Sequence, residues 1–575
     1  MAQSYAGRLE LTWTNKALAL LAGDDGSYQW VPPSDYRVAE VRLLHDTGSV
    51  GDVRSKRDRA KDNLLIQGDA LNALTSLIEL PEFAREYVGK VKLAYLDPPF
   101  NTRQSFLHYD DALEHSVWLT MMRDRLTQIR TLLSDDGSVW VHCDDTEQAY
   151  LKSAMDEVFG RACFQTAFIW RKVDSPNDNK VPVTPDHDYI LCYTKTAGVP
   201  PFQRMSAPAL LDAYPQTDNE GQRYRDRLLK KNGKSSLRTD RPSMFYPLVA
   251  PNGVEVFPIH DDGREACWSV SAATAKKLAD SNQIIWKQRN SQWVPYTREW
   301  APTVPERPYP SIWTDLPTTR QAKAHLREMF PGVDLFDTPK PEELIERIVY
   351  MASRPGEIVL DCFGGSGTSA AVATKLGRRW VLVERETETV SNWIIPRLTQ
   401  VISGDDQGGV SEDLGWSGGG GFRSLCVAPS MFEESAGTVV LAEWATNGHL
   451  SEATAAQLGF DFDVEPPFVG RKGRKRLAVI DGMVTVDVVT LLTEALGTDE
   501  RLTVCGMAFD PDARQILREK APGSTLRKIP SSILDEYVLR RMEQDTAEAA
   551  VPVAPVAPVA PVAPVAPVAP VAPVK

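Results

Sequence analysis

Within one short segment, Asp97-Pro98-Pro99-Phe100, the chain carries a carboxylate, a turn that cannot continue a strand and an aromatic ring. Asp97 offers one hydrogen-bond acceptor, and the carbonyl of Pro98 offers a second on a residue that has no N–H of its own. Two acceptors beside a stacking ring suit a planar group with an exocyclic amine, such as adenine N6. The same residues also fit a plain strand end with a capping Asp, so the surrounding elements have to decide.

The elements on either side predict that this segment stands at the edge of a parallel sheet. The apolar run Val91–Leu96 is typical of a buried strand, and the two prolines end it. A second strand, Asn63–Gln67, precedes an amphipathic helix over residues 70–80, which makes a strand–helix–strand unit. Because ligands in such sheets bind outside the carboxyl ends of the strands, we expect Asp97 and Phe100 at a binding edge.

A second group of residues, far along the chain, has the pattern of a nucleotide-binding turn. Asp361 ends a predicted strand, the turn at residues 362–368 contains Gly365 and Gly367, and Glu384 ends the next strand. Glycines let a ligand approach the backbone closely, and an acid at the end of the following strand can accept two ribose hydroxyls. Alone, this pattern is equally typical of a dinucleotide-binding fold.

The two groups together resemble the class β amino-methyltransferases of DNA, in which Asp-Pro-Pro-Phe precedes Phe-x-Gly-x-Gly and a Lys-Pro pair lies upstream of the glycines. The order of motifs is similar to that of the modification subunit of type III restriction-modification systems, including residues 156–160 and 187–191. The resemblance implies an α/β, Rossmann-like methyltransferase that uses S-adenosylmethionine. It further implies transfer of a methyl group to adenine N6 of a flipped-out base in duplex DNA.

The resemblance also implies a role for each motif residue. In the catalytic and target-binding group, Asp97 and Pro98 accept the amine hydrogens and Pro99 stiffens the turn. Phe100 stacks on the base, and Asn101 and Tyr189 contact the target. The cofactor-binding group contains Asp361, Phe363, Gly365, Gly367, Glu384 and Lys340, with Lys340 pairing with the cofactor carboxylate. The sulfonium of the donor is already activated, so we expect no metal.

Changes in composition and in the periodicity of apolar residues along the chain predict six segments. They are an N-terminal arm at 1–60, a catalytic half at 61–174, a target-recognition insert at 175–335, a cofactor half at 336–425, a C-terminal α/β domain at 426–545 and a Val-Ala-Pro repeat tail at 546–575. The insert holds Arg225, Arg227, Lys230 and Lys231 among aromatic residues. Such a mixture suits phosphate contact and base stacking, although a charge run is also typical of a solvated face.

Bulk composition limits the classes of function. The 575 residues, 42% hydrophobic and 25% charged, are sufficient for about two to four domains. A net charge of −13 means that DNA binding would need a local basic patch. The seven cysteines are scattered, which argues against a zinc knuckle or a disulfide framework. We expect a cytoplasmic protein without a signal peptide or a membrane span.

The same residues do not decide which amine is methylated. They also bear on the partners of the protein. Cytosine N4 could be methylated by the same two-acceptor chemistry, although Asp97 matches the adenine-type motif and cytosine-N4 enzymes more often carry Ser. A methyltransferase acting on a protein amide and a DNA-recognition subunit without catalytic activity also fit parts of the pattern. No Gly-x-x-x-x-Gly-Lys-Ser/Thr motif occurs, so DNA cleavage would need a separate ATP-dependent restriction subunit. The resemblance also implies a homodimer.

Overall fold

A ten-stranded sheet forms the centre of the computed structural model, which describes residues 10–22, 28–101, 114–174, 183–198, 202–333 and 336–539. In spatial order the strands are Ile312–Trp313, Phe164–Arg171, His187–Thr194, Leu133–Cys143, Val91–Leu96, Ile358–Asp361, Arg379–Glu384, Asn63–Gln67, Gly421–Val427 and Leu44–Gly51. Six neighbouring strands, from Leu133–Cys143 to Gly421–Val427, are parallel to one another. The Rossmann-like α/β class predicted from the sequence is confirmed.

Helices connect the parallel strands in both halves of the sheet. In the first half they are Ala70–Glu79, Pro81–Tyr87, His115–Leu132 and Gln148–Phe159, and in the second half Thr319–Met329, Glu342–Ala352, Thr368–Lys375, Thr387–Thr389, Ile395–Ser403 and Ser411–Leu414. The strands Ile358–Asp361 and Arg379–Glu384 are buried over almost their whole length. Burial of successive residues means that both faces of these strands are covered, as in parallel sheets generally.

Residues 203–310 form a separate compact unit with a core of its own. Its core contains Leu229, Leu248, Trp268 and Ala275. Its strands are Met205–Ser206, Gln216–Thr217, Arg223–Leu228, Leu248–Val249, Glu255–Val256, Ile284–Arg289, Gln292–Trp300 and Glu306–Arg307, and its helix is Ala272–Asp280. This unit is narrower than the predicted insert at 175–335, because His187–Thr194 and Ile312–Trp313 on either side of it in the chain belong to the central sheet.

The C-terminal segment contains a five-stranded sheet flanked by helices. The strands, in spatial order, are Asp461–Glu465, Phe468–Lys472, Lys475–Val484, Arg501–Phe509 and Thr525–Lys528. The helices include Leu450–Leu458, Val486–Glu494, Ala513–Lys520 and residues 531–539. A hairpin, Phe432–Ser435 with Thr438–Leu441, precedes them. Val484, Val489 and Val504 belong to the core between this sheet and its helices. An α/β arrangement is therefore present where the sequence predicts one.

The N-terminal segment is attached to the main body rather than free. It forms the hairpin Ala19–Ala22 with Tyr28–Val31, the short helix Tyr36–Ala39 and the edge strand Leu44–Gly51. The indole Nε1 of Trp13 donates to Thr120 Oγ1 over 2.7 Å. In the part of the chain that the structure describes, no helix has both the length and the apolar character needed to cross a bilayer. The predicted repeat tail lies outside the described residues.

Candidate functional site

The carboxyl ends of four parallel strands meet at one cavity of about 670 Å³. Asp97 follows the first strand, Asp361 and Glu384 end the next two, and Gly68 follows the fourth. The volume lies within the range of small-molecule sites, roughly 300–1,000 Å³. Nine of the residues singled out in the sequence line this cavity: Asp97, Pro98, Pro99, Phe100, Lys340, Asp361, Phe363, Gly365 and Glu384.

The segment 97–101 is held in place by hydrogen bonds to buried side chains. The indole Nε1 of the buried Trp118 donates to the Pro99 carbonyl over 2.7 Å. Asn101 Nδ2 donates to Glu147 Oε1 over 2.8 Å, so Asn101 supports the turn in addition to any target contact. Among the backbone hydrogen bonds of the described residues, none engages the Pro98 carbonyl, and Pro98 lines the cavity beside Asp97.

Asp97 is paired with Lys340. The Lys340 Nζ atom lies 2.6 Å from Asp97 Oδ2 and 5.1 Å from the centroid of the Phe100 ring. The lysine side chain is 9% exposed and the aspartate 22%. A lysine predicted to bind the cofactor therefore contacts the acid predicted to bind the amine.

Asp361 is buried at the base of the glycine turn and accepts two hydrogen bonds. Phe363 N donates to Oδ1 over 2.9 Å and Ser369 Oγ donates to Oδ2 over 2.5 Å. Burial raises the pKa of Asp361 to about 8, with the charges of Asp97 and Glu384 adding to the effect. Asp361 therefore organises the turn, and at neutral pH it is largely protonated.

Glu384 fixes the other side of the same turn. Its Oε2 accepts from Gly365 N over 2.8 Å and its Oε1 accepts from Glu386 N over 3.0 Å. Gly365 and Gly367 have φ angles of 49° and 77°, a region that side-chain-bearing residues rarely adopt. Gly367 does not line the cavity but begins the helix Thr368–Lys375. Because a carboxylate oxygen can accept more than one hydrogen bond, Glu384 could also accept from a ligand hydroxyl.

The cavity also contains four charged residues to which the motifs assign no role. Arg125 pairs with Asp69 over 3.0 Å, and Lys172 pairs with Asp188 over 2.7 Å, all four lining the cavity. Asp188 could have been found from the sequence, since it lies in the segment 187–191 that is similar to the type III modification subunits. No sequence pattern pointed to Lys172, because its pairing with Asp188 depends on the folded structure.

Tyr189, predicted to contact the target base, does not line the cavity. Its neighbour Asp188 does, and successive strand residues point to opposite faces. Tyr189 packs instead against the hydrophobic core. Tyr193, four residues further along the same strand, is fully buried and donates to Asp156 Oδ1 over 2.7 Å.

The predicted basic cluster is partly neutralised within the unit of residues 203–310. Arg225 and Arg227 both pair with Glu299, at 3.0 and 3.4 Å. Lys230 pairs with Asp261 at 3.0 Å, and Lys231 is half-buried. Arg225 also stacks on Tyr214, with 4.7 Å between the guanidinium carbon and the ring centroid. The basic and aromatic residues do lie together, but carboxylates accompany them.

Behind the glycine turn lies a buried ionic cluster. Lys375 Nζ is 2.6 Å from both Glu342 Oε2 and Asp406 Oδ2, with all three side chains at most 1% exposed. Arg397 pairs with Glu342 over 2.9 Å and donates to Thr368 Oγ1 over 2.8 Å. His325, Glu342 and Asp406 are close enough to hold a cation, but the Lys375 ammonium already bridges the two carboxylates. The cluster ties three helices to the turn.

The fold is that of a Rossmann-like α/β protein with a cavity at its strand ends, and comparison with known proteins assigns the family. A family model described as DNA methylase, covering N6 and N4 enzymes, matches residues 91–394, and the chain belongs to this family. The chain is 28% identical to the HindVI type III Mod subunit of Haemophilus influenzae, over 68% of this chain and 57% of that one. It is 29% identical to the type II methyltransferase M.KpnI of Klebsiella pneumoniae, over 51% and 75%.

A third relative is the StyLTI type III Mod subunit of Salmonella typhimurium, 28% identical over 54% of this chain and 49% of that one. The chain thus spans about half the length of these two type III relatives. The resemblance to DNA amino-methyltransferases predicted from the motifs is confirmed.

Proposed function

We propose that this chain is a DNA methyltransferase that transfers a methyl group from S-adenosylmethionine to the N6 amine of adenine. One observation carries the proposal: Asp97 and Pro98, the two acceptor residues, line the same cavity as Phe363 and Glu384. An amine-binding pair thereby adjoins a nucleoside-binding turn. Membership of the DNA methylase family supports nucleic acid as the substrate and argues against a protein amide.

The residues on the cofactor side fit S-adenosylmethionine by their chemistry. Glu384 can accept from ribose hydroxyls, Phe363 offers a ring for the adenine or ribose, and the glycine turn admits a ligand close to the backbone. Lys340 can pair with the carboxylate of the amino acid part. When bound, S-adenosylmethionine supplies a methyl group made electrophilic by its sulfonium.

On the target side, Asp97 and Pro98 act on the amine nitrogen. The lone pair of adenine N6 is delocalised into the ring, which makes the amine a poor nucleophile. Acceptance of its two N–H hydrogens by the carboxylate and the carbonyl favours tetrahedral geometry at nitrogen and frees the lone pair. Phe100 stacks on the base, which must leave the helix to reach this cavity. Most of the acceleration then comes from positioning.

Adenine is preferred over cytosine because of the first residue of the motif. Asp97 matches the adenine-type pattern, and type III Mod subunits are among the relatives. We further propose that the chain modifies DNA within a restriction-modification system and works with a separate ATP-dependent restriction subunit. We also propose that the chain forms a homodimer and acts in the cytoplasm.

The test is methylation of unmodified genomic DNA by the purified full chain and a donor labelled in its methyl group. We expect label in the DNA with the wild-type protein and none with Asp97→Ala, while calorimetry detects S-adenosylmethionine binding by both. Sequencing of modified bases then gives the recognition sequence. Binding of the donor by the wild type without any transfer to DNA would overturn the proposed function.

A further inference from the structure

A series of hydrogen-bonded polar side chains lies against the Phe100 ring, and its central residue, His142, has no role in the function proposed above. The hydroxyl of Tyr95 lies 3.1 Å from His142 Nδ1, and His142 Nε2 lies 3.1 Å from Asp188 Oδ2. Lys172 Nζ completes the series, 2.7 Å from Asp188 Oδ1. His142 is 0% exposed, and Tyr95 and Asp188 are 2% exposed. Burial of so many polar groups is costly unless each is bonded, as each is here.

Hydrogen bonds hold both ring nitrogens of His142. Burial acts to raise the pKa of Asp188, but the hydrogen bond from His142 and the nearby charges outweigh it and lower the pKa to about 2. Asp188 is therefore a carboxylate, and His142 Nε2–H donates to it. Burial raises the pKa of Tyr95 well above its ordinary value, so the phenol keeps its proton, and its hydroxyl is hydrogen-bonded to Nδ1. Both edges of the imidazole are thus held.

The face of the same imidazole supports Phe100. The two rings are stacked, with centroids 5.5 Å apart and an angle of 25° between their planes. Trp170 closes a further side of the imidazole edge-on, at 5.7 Å and 88°. Phe100 is half-buried and lines the cavity, so one end of this stack is exposed to the ligand. The orientation of the Phe100 ring is consequently tied to His142, which does not line the cavity.

We propose that His142 is a positioning residue, held by Tyr95 and Asp188, that fixes the Phe100 ring at the angle at which it stacks on the target base. The inference rests on the proposed function, since it assigns to Phe100 the planar heteroaromatic base that carries the reacting amine. Misplacement of a reacting group by about 1 Å can cost on the order of 100-fold in rate. His142 therefore influences the chemical step rather than donor binding.

The experiment compares His142→Ala, His142→Gln and Tyr95→Phe with wild type, using the full chain and duplex DNA that carries the recognition sequence. Three quantities are measured: the affinity for S-adenosylmethionine by calorimetry, the single-turnover methylation rate, and the fluorescence of 2-aminopurine placed at the target base. We expect His142→Ala to lower the rate about 100-fold, with donor affinity unchanged. The 2-aminopurine signal changes because the flipped base loses its ordered stack.

Tyr95→Phe retains the ring and removes only the hydroxyl that is hydrogen-bonded to Nδ1, so it tests the chain of hydrogen bonds even if His142→Ala does not fold. We expect it to lower the rate in the same direction by about 10-fold or less, since only one hydrogen bond is lost. The matched control is Tyr193→Phe, which removes a buried hydroxyl on the strand that carries Asp188 but away from the cavity. It lowers the melting temperature without changing the rate or the fluorescence.

Two failures are distinguishable. If the wild type binds donor but methylates no DNA, the proposed function and this inference are both overturned. If the wild type is active and folded His142 and Tyr95 variants keep the wild-type rate and fluorescence, only the inference is overturned. Loss of donor affinity in parallel with rate would also contradict it, because a general collapse of the site, not the orientation of Phe100, would then explain the defect.

Discussion

The ammonium of Lys340 and the carboxylate of Asp97 form an ion pair with 2.6 Å between Nζ and Oδ2, at the point where the two halves of the cavity meet. The residues are 243 positions apart in the chain. The pair places the lysine between the amine site and the donor site. A bound amino acid carboxylate and Asp97 would then compete for, or share, one cation.

The first prediction concerns this pair. Lys340→Met should weaken S-adenosylmethionine binding and also lower the single-turnover rate at saturating donor, because Asp97 loses the group that orients it. Asp97→Ala should abolish transfer while donor binding persists. Calorimetry and single-turnover kinetics on both variants separate the two effects. An unchanged rate for Lys340→Met at saturating donor would mean that the lysine serves the donor alone.

The second prediction is a pH dependence of stability caused by Asp361. Its pKa is raised to about 8 in the folded chain, so between its ordinary value and 8 the folded state holds a proton that the unfolded state has lost. Stability therefore decreases as pH rises through this window, by at most about 1.4 kcal/mol per pH unit from this group. Asp361→Asn, an analogue of the protonated acid, should reduce that slope in chemical denaturation at pH values from about 5 to 8. An identical slope in the variant would contradict the raised pKa.

The third prediction concerns the ionic cluster behind the glycine turn. Burial acts to raise the pKa of Glu342, but Arg397 and Lys375 lower it overall, so the group is a carboxylate. Glu342→Gln leaves two buried cations short of a partner and should cost about 3–5 kcal/mol of unfolding free energy. It should also weaken donor binding, because Arg397 holds the turn through Thr368. Asp174→Asn, which breaks an exposed pair with Arg320, is the control and should leave the melting temperature unchanged.

The fourth prediction concerns DNA binding by the unit of residues 203–310. Joint substitution of Arg225, Arg227, Lys230 and Lys231 by Ala should weaken DNA binding and flatten its dependence on salt. Glu299→Gln removes the acid shared by Arg225 and Arg227 and should have the opposite effect on affinity. Filter binding across a salt series measures both. If the two variants weaken binding equally, the arginines act by holding Glu299, and DNA follows another surface.

The sequence predicted the position of a site residue best where a motif residue ends or directly follows an apolar strand. Asp97, Asp361 and Glu384 end or follow apolar runs, and parallel strands bring such ends to one edge. Tyr189 does not line the cavity whereas its neighbour Asp188 does, because register decides which of two strand neighbours faces the cavity. The partners of Lys340, His142 and Lys375 could not be foreseen, since each ion pair or hydrogen bond joins segments that only the packed sheet brings together.

The last prediction is that the product is N6-methyladenine. The two acceptors, Asp97 and the Pro98 carbonyl, can accept the hydrogens of either an adenine or a cytosine amine, so the chemistry alone does not choose. Asp97 at the position where cytosine-N4 enzymes more often carry Ser favours adenine. Digestion of methylated DNA to nucleosides, followed by mass spectrometry, identifies the modified base. Detection of N4-methylcytosine alone would contradict the adenine assignment while leaving the roles of Asp97, Phe100 and His142 intact, because each of them acts on any flat base with an exocyclic amine.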